Sequence, residues 1–516
     1  MATAPTAGSG ISQEQALALV ARLDALERQN AELAAQIQDL KAQTSAQTQA
    51  VRDEVHSAAT VSVAGGRPTF TSADGKFSAT LHGVMQFDAA AYDQGSPGPI
   101  ATDLRRSGPA LGASTSNVDL THARDLKNGD LFRRSRIGID GTAFGDWDYR
   151  ILFDFGGAGV ENTGQLYETW VQYNGFRPLH VRVGAFAPSL GLDDQGSTNA
   201  MPFLERSTAA SLARNLAGGD TRTAAQLFGY GDHWFAAGAV TGRVVGVINT
   251  GTAAAVPQTF GDQLGLTGRL AGTPFYGQDW LIHLGVNGSY VARPANASGP
   301  GTNGATPVTG QSVSFSDTPE IRVDGTRLIN TGNIPAKHAD TIGAEFAAQR
   351  KNLLLLAEYE HIGVQRSDGF ADPHFDGYYV AGTWLLTGEA RKYNTQTAAF
   401  DAPAVAHPFN WGHGGWGAWE LAARYSNSNL NYDPGSLGTL QSGSSIRGGE
   451  EKIFTAGVNW YWNSVARVML DYQNVRIERL SPANSTTAAS TIWFTPAGAN
   501  IGQSFNVWSV RTQFAF

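Results

Sequence analysis

A switch in hydrophobic period constrains this chain more than any other feature. Across residues 12–56 apolar side chains recur every three or four positions; from Phe77 onward they recur every second position. A period of two is that of a β-strand with one apolar and one polar face. Between Phe77 and Tyr92 the odd positions hold Phe77, Ala79, Leu81, Gly83, Met85, Phe87, Ala89 and Ala91. The even positions include Ser78, Thr80, His82, Gln86 and Asp88. A strand of that length crosses the hydrocarbon core of a bilayer, for which about 9–11 tilted residues suffice. The alternation returns at Trp147–Phe155, Leu179–Ala185, Leu264–Leu270, Trp280–Tyr290 and Trp508–Phe516.

Extended along the chain, the pattern predicts about sixteen strands, near 77–91, 131–143, 147–156, 165–174, 179–187, 223–231, 234–248, 262–273, 278–292, 336–350, 352–364, 376–387, 415–427, 450–462, 464–478 and 503–516. A further piece, 319–328, would make the number odd and is assigned to a loop. Tight turns fall at Gly145-Asp146, 174–178, 231–233, 273–277, Lys351 and Asn463-Ser464; long connections fall at 92–130, 188–222, 292–335, 428–449 and 479–502. Short and long links alternate, as periplasmic turns and outer loops do in bacterial barrels. The reading is an all-β transmembrane barrel of about 16 antiparallel strands with both ends in the periplasm and the long loops just named outside. One stretch, 388–414, falls on the periplasmic side yet is long. Holding Arg391, Lys392 and His407, it is expected to fold back into the lumen and narrow its exit. A soluble sandwich is disfavoured, because the polar faces carry Arg, Asp and His and aromatic residues gather at strand ends.

Composition narrows the alternatives. Charged residues are 16% of the chain, against about 25% in ordinary soluble proteins. No run of about 18 apolar residues is present, so a transmembrane helix is excluded. With no Cys, disulfide scaffolds, thiol catalysis and Cys-based zinc sites drop out. A net charge of −8 argues against nucleic acid as a partner. Trp411-Gly-His-Gly-Gly-Trp416 with His407 lacks carboxylates at ligand spacing, so no metal and no other cofactor is expected. Ser, His and Asp are scattered without a Gly-x-Ser-x-Gly elbow, and no enzyme activity is expected. Met1 to Gly10 lack the charged-then-apolar pattern of a signal peptide, which for an exported chain implies the mature form.

The first 56 residues read as a separate unit. Residues 12–56 contain neither Gly nor Pro, and Leu19, Leu23, Leu26, Asn30, Leu33, Ile37 and Leu40 step by four and three without interruption. Leu23, Asn30 and Ile37 take heptad positions a, and Leu19, Leu26, Leu33 and Leu40 take d. So narrow a stripe predicts self-association as an α-helical coiled coil, with Asn30 fixing register. About 45 residues of helix would reach roughly 65 Å into the periplasm. Residues 57–76, with Gly65, Gly66 and Pro68, read as a linker, and 77–516 as the barrel.

Several segments together resemble the phosphate-selective porin family. They are Leu131-Phe-Arg-Arg-Ser-Arg-Ile-Gly138 with Trp147-Asp-Tyr-Arg150; Val181-Arg-Val-Gly-Ala-Phe-Ala-Pro188 with Phe203-Leu-Glu-Arg-Ser207; Trp384-Leu-Leu-Thr-Gly-Glu389; and Trp416-Gly-Ala-Trp-Glu-Leu-Ala-Ala-Arg-Tyr-Ser426 with Val458-Asn-Trp-Tyr461. The resemblance covers roughly 77–516. It implies a homotrimer of sixteen-stranded barrels in the outer membrane, one pore per subunit, with the loop after the fifth strand, here 188–222, folded into the lumen. The ending Gln513-Phe-Ala-Phe516 is similar to the terminal aromatic signature that barrel assembly machinery reads, which makes Phe516 the expected signal.

A pore works through the charges that line it. Of 37 basic residues only seven are Lys. Strand parity turns Arg134, Arg136, Arg150, Arg182, Arg269, Arg424, Arg467 and Arg511 inward, while Arg206, Arg214 and Arg222 fall in the loop 188–222. A guanidinium never deprotonates, and its fork matches oxyanions. The family's basic pore residues match Arg133, Arg134 and Arg136 here. Asp140, Asp148, Asp154, Glu168, Glu345 and Asp471 share inward parity and can brace the same arginines. The expected function is passive diffusion of small hydrophilic solutes with a preference for anions such as phosphate. A non-selective pore and a plugged structural barrel tethered through the coil are the alternatives.

Overall fold

The computed structural model describes residues 12–57, 59–64, 66–94, 126–157, 164–245, 263–295, 311–482 and 497–516. The chain divides into two units, one with the helix and the other with the sheet. In the first, α1 runs unbroken over Gln13–Ser57. Ser12 opens it with a reciprocal cap: its hydroxyl accepts from the Gln15 amide, and the Gln15 side chain accepts from the Ser12 amide, both at 3.2 Å. The whole seam from Leu19 to Leu40 is exposed in the single chain; Leu33, the most shielded apolar member, still shows 47% of its surface.

In the second unit sixteen long strands follow one another: β1 Ser78–Asp93, β2 Gly129–Ala143, β3 Trp147–Asp154, β4 Gln165–Phe176, β5 Leu179–Phe186, β6 Arg222–Tyr230, β7 Trp234–Val244, β8 Leu264–Gly277, β9 Trp280–Arg293, β10 Ile334–Arg350, β11 Leu353–Arg366, β12 His374–Leu385, β13 Ala418–Tyr432, β14 Ile446–Tyr461, β15 Ala466–Glu478 and β16 Ser504–Ala515. Each pairs antiparallel with its chain neighbours. β16 returns to β1 with Val510 opposite Ala89 and Gln513 opposite Gln86, so the sheet closes. Phe516 seals the seam by exchanging backbone hydrogen bonds with Gly83 at 2.9 and 3.0 Å. Closure leaves no open edge among these strands, the condition for backbone in hydrocarbon.

The period of two sorts the two faces. In β13, Glu420, Arg424, Ser426 and Ser428 are buried on the lumen side, while Leu421 and Tyr425 are exposed on the other. Outward aromatics form two belts. Trp147, Trp234, Tyr276, Trp280, Trp384 and Phe514 lie near the short turns, and Phe155, Tyr290, Tyr359, Tyr378, Tyr425 and Trp508 lie toward the long loops. Amphipathic rings favour these two levels of a membrane.

Three connections fill the lumen. The loop 187–221 carries α2 Leu192–Gln195 and α3 Thr208–Ala217, and Ser207 caps α3 through the Ala210 amide at 3.3 Å. The described part of the loop between β9 and β10, 311–333, also turns inward, which corrects the expectation that it lies outside. Its Phe315, Ile321, Leu328 and Ile329 are too apolar to stay in water and pack with Phe375, Leu430 and Ile446. Residues 319–328 form no strand. From the end with the short turns, the long turn between β12 and β13 sends in a short hairpin, Arg391–Asn394 paired with Ala399–Pro403, so the first half of 388–414 folds back as its length and parity suggested, while most of 404–414 stays exposed. Phe400 packs with Leu192, Ala347 and Leu354, and the Tyr393 hydroxyl meets His283 Nδ1 at 2.8 Å. Lys392 and His407 stay exposed.

Arg391 pins this hairpin. It makes a bidentate pair with Glu420, at 2.7 Å on both sides, and donates to the Tyr461 hydroxyl at 2.9 Å and the Ala200 carbonyl at 2.6 Å. Both charged side chains are shut off from solvent. Removing one partner of such a pair strands the other charge and costs about 3–5 kcal/mol. Arg391→Ala is therefore expected to lower barrel stability by that order in urea unfolding from detergent micelles; a midpoint equal to wild type would contradict the pin.

Candidate functional site

The basic residues of the lumen are placed by one irregularity and one loop. The irregularity is a bulge. Arg134 opposes Gln86 on β1, but Phe132 opposes Phe87, so Arg133 is an extra residue in β2. A bulge lets two successive side chains share a face, and Arg133 and Arg134 are both buried in the lumen. Strict alternation would have sent Arg133 to the lipid. Arg136 follows on the same side, pairing with Asp154 at 2.7 Å, its guanidinium 3.5 Å above the Tyr167 ring.

The loop is the stretch 198–205. It crosses the lumen without regular structure, so its carbonyls have no ladder to join. Side chains of the wall, joined by Arg391 of the inserted hairpin, supply the donors. Gln86 reaches the carbonyl of Thr198, Gln513 that of Asn199, Arg391 that of Ala200, Arg467 that of Met201 and Asn459 that of Pro202. Arg511 reaches that of Leu204 and Arg424 that of Glu205. Two wall carboxylates take amides in return: Asp471 accepts from Leu204 at 2.9 Å, and Glu358 accepts from Leu192 and Asp193.

The expected arginines divide by their partners. Arg269 is locked to Glu345 at 2.7 Å, Arg424 to Glu320, and Arg150 to Glu168 at 3.0 Å. In the loop, Arg206 donates to the carbonyls of Asp193, Asp194 and Gly196. Arg214 pairs with Asp194 and Asp220. Arg222 is the first residue of β6 rather than a loop residue, and reaches back to the carbonyls of Asn215 and Gly218. Arg182 holds Gln172 and stacks 4.3 Å over Trp170. Of the arginines expected to line the pore, Arg182, Arg206, Arg222 and Arg467 are held by neutral oxygens. A carbonyl or amide holds a guanidinium without cancelling its charge.

Charge gathers most densely around a cavity of about 530 Å³ between β2, the loop 187–221 and the loop 311–333. Arg133, Arg134, Arg136, Arg206, Arg214, Arg322 and Arg327 line it, against Asp154, Glu205 and Asp220. Glu205 is one of its lining residues. Arg133 Nε and Arg511 Nη2 each approach Glu205 Oε1 at 2.7 Å; Arg134 and Arg322 stand 3.7 and 3.9 Å from Oε2. Burial on its own raises the Glu205 carboxyl, but the guanidiniums of Arg133, Arg134 and Arg511 outweigh it and hold the group well below the usual carboxylate range.

Sequence parity named Asp154, Glu168 and Glu345, which pair with Arg136, Arg150 and Arg269, but it missed Glu205, Glu320 and Glu420. Glu205 and Glu420 both lie inside quoted motifs, and Glu420 has the same parity as Arg424. Glu320 is on a loop assigned to the outside, and nothing in its neighbours reveals its partner. Among the described residues no cluster of His, Asp and Glu has the arrangement to hold a metal ion.

The comparisons agree with this architecture. The family model for phosphate-selective porin O and P matches residues 110–516. Porin O of Pseudomonas aeruginosa is 26% identical over 392 residues, covering 73% of this chain and 84% of that protein. Among solved structures, the chain is similar to the anion-selective porin from Comamonas acidovorans at 12% identity and a TM-score of 0.43, covering 85% of this chain and all of that one. It is also similar to the outer membrane channel DcaP of Acinetobacter baumannii at 11% identity and a TM-score of 0.42, covering 85% and 97%. With a family model matched over most of its length, the chain belongs to the phosphate-selective porin O and P family: it is an outer-membrane porin.

Proposed function

We propose that this porin passes small hydrophilic anions by passive diffusion and that its preference arises at the Arg-lined cavity beside the β2 bulge. The observation that carries the reading is the imbalance there: seven arginines line the cavity against three carboxylates, and counting Asp194 and Asp317, which pair with Arg214 and Arg322 from behind, it is still seven against five. Nearby, Arg182 and Arg467 add charge that carbonyl and amide partners leave uncancelled. In a narrow water-filled passage with low-dielectric walls, such an excess draws anions and repels cations. The arginines locked to Glu345, Glu320 and Glu168 brace the barrel in this reading. Arg133, Arg134 and Arg136 face the solute.

We assign the coil to the periplasm. There α1 meets two copies of itself: a homotrimer gives the exposed seam of Leu19, Leu23, Leu26, Asn30, Leu33, Ile37 and Leu40 its partners. A plugged, purely mechanical barrel is the second reading, favoured by the three segments packed in the lumen.

Purified protein in a planar bilayer separates these readings. Stepwise conductance with a reversal potential of anion sign in a KCl gradient is expected; a cation sign contradicts the preference, and absence of steps favours the plug. Replacing both Arg133 and Arg134 with Gln is expected to cut the anion-to-cation permeability ratio by roughly two-fold or more, with an unchanged ratio counting against the assignment. For the coil, Leu26→Asp with Leu33→Asp should lower the temperature at which trimers dissociate on native gels while far-ultraviolet circular dichroism of the sheet is kept. Trimers of undiminished heat resistance would remove α1 from the assembly.

A further inference from the structure

The most crowded ion cluster among the described residues is buried, and Arg133, Arg134, Arg322 and Glu205 of it line the basic cavity. Four guanidiniums, from Arg133, Arg134, Arg322 and Arg511, converge on a single carboxylate, that of Glu205. Arg133 meets it with two nitrogens, at 2.7 and 3.2 Å, in the planar fork-to-carboxylate geometry. Arg511 reaches the same oxygen while its other edge holds Asp88 at 2.6 Å on both sides. Glu205 is carried by the loop, not by the wall: its backbone carbonyl is held by Arg424 at 3.0 Å, and the amide before it, Leu204, by Asp471. The carboxylate is thus a tethered anion, delivered to a nest built by β2, β16 and the loop 311–333, on the lining of a cavity large enough for a hydrated oxyanion.

The shape of that nest is what a free oxyanion needs: several fixed guanidinium forks converging from different sides. A phosphate arriving in the cavity finds the fork of Arg133 directed at Glu205, with Arg134, hydrogen-bonded to Gln86, and Arg322, paired with Asp317 at 3.4 Å, both within 4 Å of Oε2. We infer that Glu205 is a built-in competitor that sets the affinity of the pore for oxyanions, occupying the position where a permeating phosphate or carboxylate would otherwise be retained. The carboxylate keeps residence short, so the arginine cluster steers anions without storing them. A pore with this device conducts over a wide range of anion concentration; the same nest without the carboxylate becomes a trap that anions block.

This inference rests on reading the lumen as an anion path, so its test uses binding as well as current. Inorganic phosphate is titrated into the full-length trimer by calorimetry and applied as a blocker of chloride current. Glu205→Gln removes the charge and is expected to bind phosphate roughly ten-fold or more tightly than wild type, the scale of one charge-assisted hydrogen-bond set, with block of chloride current at correspondingly lower phosphate. Glu205→Asp keeps the charge and so the assembled nest, but withdraws it by one methylene; it should bind phosphate with an affinity between the two. Circular dichroism and heat resistance of the trimer check assembly of both variants. Phosphate affinity equal to wild type in the assembled variants overturns the inference, and so does weaker binding. A wild-type current of cation sign, by contrast, overturns the reading of the pore itself.

Discussion

The backbone of 198–205 lies inside a transmembrane barrel with no ladder to complete its hydrogen bonds, and the interior depends on how those carbonyls are satisfied. Irregular backbone at membrane depth survives only where protein or cavity water meets its polar groups. Here the wall meets them one by one, from Gln86, Gln513, Arg467, Asn459, Arg511 and Arg424, and the inserted hairpin adds Arg391. The donors come from strands far apart in sequence, so the loop finds its partners only once the barrel has closed. Loop and wall therefore define each other: the wall fixes where the loop runs, and the loop fixes which arginines are committed.

That commitment shapes the electrostatics. A buried guanidinium is expensive unless paired and hydrogen-bonded. Pairing with a carboxylate gives stability and cancels the charge; pairing with a carbonyl gives hydrogen bonds and leaves the charge in place. The lumen uses both. Arg269 with Glu345 and Arg391 with Glu420 are neutral rivets that fix the periplasmic hairpin to the wall. Arg467 and Arg182 are held by neutral oxygens or by an aromatic face and still contribute field. In the proposed reading the polar faces of the strands serve two ends at once: the groups that hold the inserted segments also set the sign of the passage.

How much of this is legible in the sequence follows from range. The period of two is a local property, and it places β1 to β16, their inward arginines and the alternation of short and long links close to where the structure has them. The length of 388–414 against its parity is enough to send that turn into the lumen. Three things escape. The bulge at Arg133 is a property of the pairing between β1 and β2, invisible in β2 alone, although the motif Arg133-Arg134-Ser-Arg136 pointed to the residue. The inward fold of 311–333 depends on apolar side chains too widely spaced to read as a strand. And the partner of each arginine is a matter of three dimensions: Arg511 and Glu205 are 306 residues apart, so no spacing rule joins them.

The central claim is that anions enter the lumen at the unbalanced arginines beside the bulge. Anomalous diffraction from crystals of the wild-type protein soaked in bromide tests it without any mutation. Bromide peaks are expected in the cavity bounded by Arg133, Arg134, Arg136 and Arg322. Peaks confined to the outer surface, with that cavity free of bromide, would contradict it.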